Sequence, residues 1–456
     1  MHINQEITNK ITYRPSLKIA FLCSLLGFLI GMWVLRSPEI ATAMTLIVVA
    51  SFLIFKNPYV GLMLFILHIY LNPRTLYFQS PLVEHLGLPI VLITWLFYIM
   101  KVVIDRQPFP LKGISHNLVF LLIIFGSSIF ISWVFASKHY EPGTLFSYTK
   151  TIIIYFIFIL IVDSEIKLTN IIWSIIIVGT VAACFGLVQR FFFDIMYGDI
   201  RTTGLFHDSN YFGLYLIMPF ILSFQFIFDQ RRKLLRVFFS ICSAICLLVI
   251  VSSLSRATWL AVSVAIGLLF LRSGNKKGFF YFSILAVLFI LALNPQIFVS
   301  RLDDIFVEQS TLYWRIDVCK AGLKMFKENW VTGVGPGNFK HLVYSYLPGS
   351  LVGEDNPLAH NTFLTYFVEM GLLGGSMFIL IAIFAWRNFR IAQKNFSRQA
   401  QFNLTRISQS LEASLIGIVI ALASITANKH YIFWIIVAFS TILVNVSNIP
   451  KNTSHS

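Results

Sequence analysis

Apolar residues recur along the chain in runs long enough to cross a membrane, and short polar segments separate them. A bilayer core needs about 20 apolar residues per helix, and this criterion selects fourteen candidate spans. They lie near 18–35, 40–55, 58–72, 87–104, 117–136, 146–163, 169–193, 210–229, 234–252, 256–272, 278–293, 361–386, 409–426 and 431–448. The candidates at 40–55 and 58–72 are short, and 58–72 also fits a re-entrant or interfacial segment. The pattern therefore predicts 12 to 14 transmembrane helices.

One long polar segment, 294–360, interrupts this series. We therefore expect residues 1–293 to form the first part of a membrane domain with about 11 spans, and 361–456 to form its last part with about three. Hydrophobic residues make up 57% of the chain and charged residues only 12%, whereas about a quarter of the residues in a soluble protein are charged. The fold class predicted is an all-α polytopic membrane protein with one large loop.

The formal net charge of +15 would suggest a nucleic-acid partner in a soluble protein. Here the location of the charges matters more, because short cytoplasmic loops of membrane proteins carry the excess of lysine and arginine. With a cytoplasmic N-terminus, the whole net charge falls on the inner side and the outer side is neutral. The sequence therefore predicts cytoplasmic termini, a periplasmic loop at 294–360 and no nucleic-acid partner. The first apolar run exceeds the core of a signal peptide, so we interpret it as a retained span.

Within the large loop, the stretch from Thr311 to Trp330 has helical periodicity. Its apolar positions Leu312, Ile316, Cys319, Leu323 and Phe326 form one stripe, which predicts an amphipathic helix suited to the membrane interface. Three lysines, Lys320, Lys324 and Lys327, lie along one border of the stripe. Arg315 lies along the other, so it is the basic residue of this helix that we single out.

The helix is followed by the glycine-rich stretch Gly333-Val334-Gly335-Pro336-Gly337-Asn338-Phe339, which predicts a tight turn. Neither a phosphate-binding P-loop nor a dinucleotide fold has this spacing. The loop ends at His360, which is either an anchor at the membrane interface or a base held there. Glu369 follows about two turns into an apolar span, where a carboxylate is costly unless it is paired or functional.

Two more arginines are predicted at outer helix ends. Arg201 lies in a turn-rich entry to the span at 210–229, and Arg256 opens the span at 256–272. Each one alone fits an interface anchor. Together with Arg315 and His360, however, they form a group suited to a polyanionic lipid headgroup, because guanidinium forks bind phosphate oxygens in pairs and do not deprotonate.

These motifs resemble the O-antigen ligase and Wzy polymerase superfamily of bacterial membrane glycosyltransferases. The resemblance covers about residues 120–390 in order and spacing. The motifs are Arg201-x-x-Gly204 with Asn210, Ser255-Arg256-x-x-Trp259-Leu-Ala, Trp314-Arg315 leading to Gly333-Val-Gly335-Pro-Gly337-Asn-Phe339, and His360-Asn361 with Glu369-x-Gly371-Leu-Leu-Gly374. Each motif is weak alone, whereas the ordered set is fairly specific.

The resemblance implies transfer of a glycan from an undecaprenyl diphosphate carrier to an acceptor hydroxyl at the periplasmic face of the bacterial inner membrane, with inversion and without a metal or cofactor. His360 would be the general base that accepts the proton of the acceptor. Arg201 and Arg315 would bind the diphosphate or orient the donor, with Arg256 as the third choice. The chain also has no outer Asp-x-Asp motif that would suggest a metal site.

The resemblance further implies that Glu369, Asn361 and Asn210 support this site. Glu369 would orient His360 or pair with an arginine, and a role in packing alone is an equal alternative. Ligases, repeat-unit polymerases and protein O-oligosaccharyltransferases share such a site and differ in the acceptor, which is lipid A-core for a ligase and a growing glycan for a polymerase. We favour a ligase because the outer loop is compact.

A transporter or lipid-linked sugar flippase is the alternative from another class of protein. Transporters place ionisable residues and broken helices near the middle of the membrane and often contain repeated halves. In this sequence the polar group lies at the outer rim, and no repeat relates the two halves. These observations favour the enzyme.

Overall fold

The computed structural model describes residues 48–71, 87–105, 116–138, 140–141, 143–194, 201–206, 208–229, 231–273, 311–347 and 358–448. Within these ranges the elements are helical. The first eight are α1 (Pro58–Leu71), α2 (Gly87–Ile104), α3 (His116–Phe135), α4 (Thr144–Ile161), α5 (Glu165–Val188, continued by a π-helix at Gln189–Asp194), α6 (Ser209–Asp229), α7 (Lys233–Ser252) and α8 (Arg256–Ser273). They are followed by α9 (Thr311–Glu328), the short α10 (Phe339–Leu342) with a 3₁₀ turn (Val343–Tyr346), α11 (Thr362–Arg398), α12 (Phe402–Leu422) and α13 (Ile432–Ser447).

The all-α polytopic fold is confirmed. Among the described residues, seven helices are long and apolar enough to cross a membrane, and α1, α2 and α13 are shorter apolar helices. Each predicted span on described residues coincides with a helix. The span predicted at 40–55 is helical from residue 48 to 56, and its earlier part, together with the spans predicted at 18–35 and 278–293, lies outside the described residues.

Two predicted boundaries are wrong. The span predicted to end at residue 386 continues as α11 to Arg398, and the one predicted at 409–426 is α12, from Phe402 to Leu422. In both cases the extra turns are amphipathic, since α11 buries Phe389 and Phe396 beyond its apolar run. Mean hydropathy marks the part of a helix that contacts lipid, whereas helical periodicity continues for as long as one face is covered.

The core of the membrane domain lies around α6. In its most apolar stretch, 78% of the residues are buried. This helix packs against α5, α7, α8 and α12, while α11 packs against α3, α12 and α13. Aromatic rings fill the space between the helices. For example, the ring centroids of Phe378 of α11 and Phe433 of α13 are 4.7 Å apart. The helix ends that the motifs occupy are therefore held by a closely packed bundle.

Helix α9 has two apolar faces. It buries Val318, Ala321 and Met325 in a cluster that also contains Leu364 and Val368 of α11. Of the stripe identified in the sequence, Ile316 and Leu323 are exposed instead, and Cys319 and Phe326 are half-buried. The helix at 311–330 is thus confirmed, but the predicted stripe is not the face that packs on the protein. A position of the exposed stripe in the membrane interface remains a prediction.

Helix α11 is broken at Gly371, which has φ 67° and ψ −169°. The break frees backbone carbonyl groups of the preceding turn, and the glycine-rich stretch donates to them: the amide of Val334 to Val368 at 2.9 Å, and that of Gly335 to Glu369 at 3.0 Å. A Cβ atom at Gly371 would lie 2.2 Å from the carbonyl oxygen of Val331. The stretch predicted as a turn is therefore also the element that docks on the broken helix.

Contacts between loops and helix ends agree with the alternating order of the spans. Tyr211, at the start of α6, donates to the carbonyl of Thr426 beyond the end of α12 at 2.7 Å. At the other end of the bundle, Gln399 donates to the carbonyl of Ser447 at 2.8 Å. We call the first the outer end and the second the inner end, following the charge pattern.

We predict that a reporter fused after Pro336 reads as periplasmic and one fused after Arg390 as cytoplasmic, because the inner end carries the excess of basic residues. Paired alkaline phosphatase and fluorescent protein fusions at both positions measure this. Opposite signals at both positions would place His360 on the cytoplasmic side and contradict the orientation.

Candidate active site

The start of α6 is fixed by Asp208. Its carboxylate accepts hydrogen bonds from the backbone amides of Asn210 at 2.6 Å and Tyr211 at 3.4 Å. A carboxylate at this position satisfies amides that have no partner inside the helix and lies at the positive end of the helix dipole. Asp208 is thereby held at the outer end, and among the described residues it is the carboxylate that acts on Arg315 and His360, described next.

Arg201 links the segment before α6 to the turn between α7 and α8. Its Nε donates to the carbonyl of Ser253 at 3.2 Å, and its Nη2 donates to the side-chain oxygen of Asn210 at 3.1 Å. The amide of Thr202 donates to the carbonyl of Ser252 at 3.2 Å. These bonds place the 201–206 segment beside the first residue of α8, which is Arg256. Arg201 therefore joins the turn between α7 and α8 to the start of α6 through two hydrogen bonds.

Arg315 of α9 lies near Arg256 and Asp208 and is half-buried. Burial lowers the pKa of its guanidinium group, the nearby Arg256 lowers it further, and Asp208 opposes both effects. Two guanidinium groups close enough to repel each other form a site that an anion would stabilise. The predicted separation of Arg315 from the lysines also holds, since Lys320 and Lys324 are exposed on another side of α9.

His360 lies just before α11 and completes the group. Its backbone has φ 45°, and the next residue, Asn361, caps the helix by accepting from the amide of Leu364 at 3.0 Å. From α9, the thiol of Cys319 donates to the carbonyl of Ala359 at 3.7 Å. A cap on one side and a contact with α9 on the other hold the imidazole next to Arg315.

The imidazole of His360 is neutral at physiological pH. Burial lowers its pKa, the positive charge of Arg315 lowers it further, and Asp208 partly opposes them, with the result that the pKa is about 4. A neutral imidazole accepts a proton without first losing one, so almost all molecules are ready to act as a base above pH 5.

Glu369 lies in a different network from His360. It is buried, and its carboxylate accepts hydrogen bonds from the hydroxyl of Tyr148 and, at 3.4 Å, from the amide of Phe339. The side-chain amide of Asn428 in turn donates to the hydroxyl of Tyr148. The Glu369 carboxylate thus connects the start of α10, which follows the glycine-rich stretch, to the bundle. This arrangement favours a role of Glu369 in packing over a role in orienting His360.

A second carboxylate joins three outer segments. Glu141, just before α4, pairs with Lys340 of α10 and with Lys429 of the α12–α13 loop, the latter at 2.8 Å. Burial alone would raise the pKa of Glu141, but the hydrogen bonds from the two lysines outweigh it and the pKa falls to about 2. Glu141 is therefore ionised at every physiological pH and holds both lysines at the start of α4.

Sequence reasoning did not identify Glu141, Tyr148 or Asn428. Tyr148 and Asn428 are ordinary residues in or near apolar runs, and their meeting depends on how the helices pack. The signal for Glu141 was its position as an acidic residue at an outer helix start, but its partners lie about 200 and 290 residues away. Pairing over such a distance leaves no pattern in one sequence.

Arg315 lies close enough to interact electrostatically with both Arg256 and His360, and Asp208 interacts with Arg315 and His360. Arg201 and Asn210 are hydrogen-bonded to each other at the edge of this group, Asn361 caps the helix that follows His360, and Glu369 lies in the network of Tyr148. In the part of the chain that the structure describes, no three His, Cys, Asp or Glu side chains lie close enough together to hold a metal ion. The group thus consists of arginines, one imidazole and one carboxylate.

These features define a polytopic membrane protein with a group of basic residues at one end of its bundle. Residues 241–379 match the model of the family described as O-antigen ligase. The resemblance to the O-antigen ligase-like superfamily is thus confirmed over a stretch that contains Arg256, Arg315, His360 and Glu369, while Arg201 lies before it. None of the curated proteins compared with the chain matches it.

Proposed function

We propose that the protein transfers a glycan from an undecaprenyl diphosphate-linked donor to an acceptor hydroxyl at the periplasmic face of the bacterial inner membrane. The observation that carries this proposal is the pairing of a neutral base, His360, with two mutually repelling guanidinium groups, Arg256 and Arg315. A diphosphate leaving group needs positive charge, and an acceptor hydroxyl needs a base. The family match supports a glycosyltransferase-like reaction in general terms.

In the proposed reaction, the acceptor oxygen attacks the anomeric carbon of the donor sugar while His360 accepts the hydroxyl proton. The bond between the anomeric carbon and the phosphate oxygen breaks, and the electron pair leaves on the diphosphate. Arg315 and Arg256 stabilise the charge that develops there, because a preformed cation needs no reorganisation in the transition state. Attack opposite the leaving group inverts the anomeric carbon.

We assign the principal phosphate contacts to Arg315 and Arg256, and a positioning role to Arg201. Arg256 interacts electrostatically with Arg315, which in turn lies beside His360, whereas Arg201 donates to Ser253 and Asn210. This assignment changes the order given from the sequence, where Arg201 was preferred to Arg256. Asn361 and Asn210 act through the residues they hold, and Glu369 acts through the fold of the outer segments.

The acceptor distinguishes three closely related functions. We favour lipid A-core, as for a ligase, because the outer segment is compact; a growing glycan would make the protein a polymerase, and a protein hydroxyl would make it an O-oligosaccharyltransferase. Expression in strains lacking a defined ligase or polymerase, scored by the glycan ladder on lipopolysaccharide, tests this. Restored capping in the ligase mutant supports the ligase, whereas restored chain length in the polymerase mutant supports the alternative.

We predict that Arg315→Lys strongly lowers transfer although the charge is retained, because a lysine ammonium group does not provide the paired donors of a guanidinium. Transfer by the purified wild-type protein from a lipid-linked donor should persist in excess EDTA, since the arginines supply the positive charge. Lys324→Arg is a matched control on an exposed turn of α9 and should leave the rate unchanged. Recovery of an EDTA-inactivated protein by added divalent ion would contradict this prediction.

The rate of transfer should also report the pKa of His360. Protonated imidazole does not accept a proton, so kcat/KM should fall as the pH drops through about 4 and stay level from pH 5 to 7. Arg315→Gln should move this acid limb to higher pH, because it removes a nearby positive charge that lowers the pKa. An acid limb near 6.5 in the wild type would show that the group responsible is not a buried histidine beside an arginine.

A further inference from the structure

A cavity of about 480 Å³ lies at the inner end of the bundle, away from the site described above. It is bounded by the last turns of α6 and α8 and by the first turns of α12, so it lies where three helices meet at the inner end of the bundle. Its basic lining residues are Arg272 and Arg406, and its apolar wall includes Phe228 and Phe402. This combination of cations and exposed rings has no part in the proposed transfer reaction.

The carboxylates that balance these arginines lie behind them. Glu412 is fully buried, and both of its oxygens accept from Arg272, with further bonds from Trp386 at 2.8 Å and Gln393 at 2.5 Å. Asp229 has only 6% of its side chain exposed, whereas its partner Arg406 has 47% exposed. A ligand that enters the cavity therefore meets guanidinium N–H groups and not carboxylates.

The cavity also has an apolar wall. Phe228 is 59% exposed and Phe402 is 68% exposed, and Phe224 packs edge to face against Phe270 at 6.0 Å to continue the wall. Rings at a helix end form a surface for acyl chains, while arginines beside them reach headgroups. A free anion would make no use of this wall.

From these contacts we infer that the cavity binds an anionic phospholipid, with its phosphate between Arg272 and Arg406 and an acyl chain along Phe228 and Phe402. Each guanidinium has five N–H donors, of which the buried carboxylates use only some. Basic pockets between transmembrane helices on the cytoplasmic side are a known kind of site for anionic headgroups. The inference does not depend on the glycan transfer reaction.

Gln409→Glu provides the sharpest test. This half-buried residue of α12 lines the cavity, and the substitution adds a negative charge without removing a described contact of either arginine. Asn403→Asp is the matched control, since it adds the same charge to an exposed position of the same helix outside the cavity lining. The full chain is purified in a neutral detergent, and binding of phosphatidylglycerol and phosphatidylcholine is measured by native mass spectrometry.

The wild type and Asn403→Asp should bind phosphatidylglycerol at least about tenfold more tightly than phosphatidylcholine, and Gln409→Glu should lose most of this preference. The inference is overturned if the wild type shows no preference, if Gln409→Glu keeps it, or if both variants lose it equally. Millimolar inorganic phosphate should not displace the lipid. Full displacement would identify a free-anion site and would also overturn the inference. Thermal unfolding of each variant verifies that it is folded.

Discussion

His360→Gln should lower the rate of glycan transfer by about 10²- to 10⁴-fold, the usual contribution of a general base. Glutamine keeps the polarity of the side chain and approximates its size, but its amide does not accept a proton at physiological pH. Binding of the lipid-linked donor should remain close to normal because Arg256 and Arg315 are intact. Single-turnover measurements with a fixed amount of donor separate the two quantities.

The matched control for this substitution is His341→Gln. His341 is an exposed histidine of α10. Its ring stacks on Tyr140 with 4.8 Å between the ring centroids, and its Nε2 lies 3.8 Å from Glu141. Its replacement should leave the rate within about twofold of the wild type, the range expected for a surface position. A folded His360→Gln protein with nearly full activity would show that the base is another residue, and Asp208 and Glu369 would be tested next.

Gly371→Ala should destabilise the protein strongly. The backbone at φ 67° and ψ −169° lies in a region that is essentially restricted to glycine and costs another residue about 1–3 kcal/mol. The added Cβ would also meet the carbonyl oxygen of Val331 at 2.2 Å. Since a carbonyl group of the backbone cannot rotate away like the end of a side chain, the total should exceed about 3 kcal/mol. The melting temperature in detergent measures the effect.

Gly126→Ala is a control within another transmembrane helix. Its added Cβ would have only an ordinary contact, 3.6 Å from Ile152, and alanine is the better helix former by up to about 1 kcal/mol. The melting temperature of this variant should be unchanged or higher. Equal melting temperatures for the two alanine variants would mean that the break at Gly371 is not required for the fold.

The sequence predicted the helices better than the contacts between them. The fold class and most spans follow from apolar runs of membrane-spanning length, because lipid imposes the same requirement on every helix. The ends of α11 and α12 did not follow, since their polar turns are held by packing against other helices. The face of α9 that contacts the protein, with Val318, Ala321 and Met325, was not identified either, because the sequence pattern showed only the stripe that includes Leu323.

The predicted site residues differ in how well their chemistry could be read. Arginines and a histidine at outer helix ends are visible in the sequence, and the proximity of Arg315 to His360 follows the expected convergence. The environment of Glu369 was not visible, because its partner Tyr148 lies 221 residues away. Whether a buried carboxylate supports a base or a turn depends on three-dimensional neighbours that no local pattern encodes.

The docking of the glycine-rich stretch on broken α11 has a consequence for biosynthesis. Helix α9, which carries Arg315, is made before α11, yet its buried face and the amides of Val334 and Gly335 have their partners on α11. During translation Arg315 is therefore made before α11, the helix on which α9 packs, and His360 is made immediately before α11. A nascent chain that has not yet inserted α11 lacks the partners of α9, so Arg315 and His360 come together only after α11 has packed against α9.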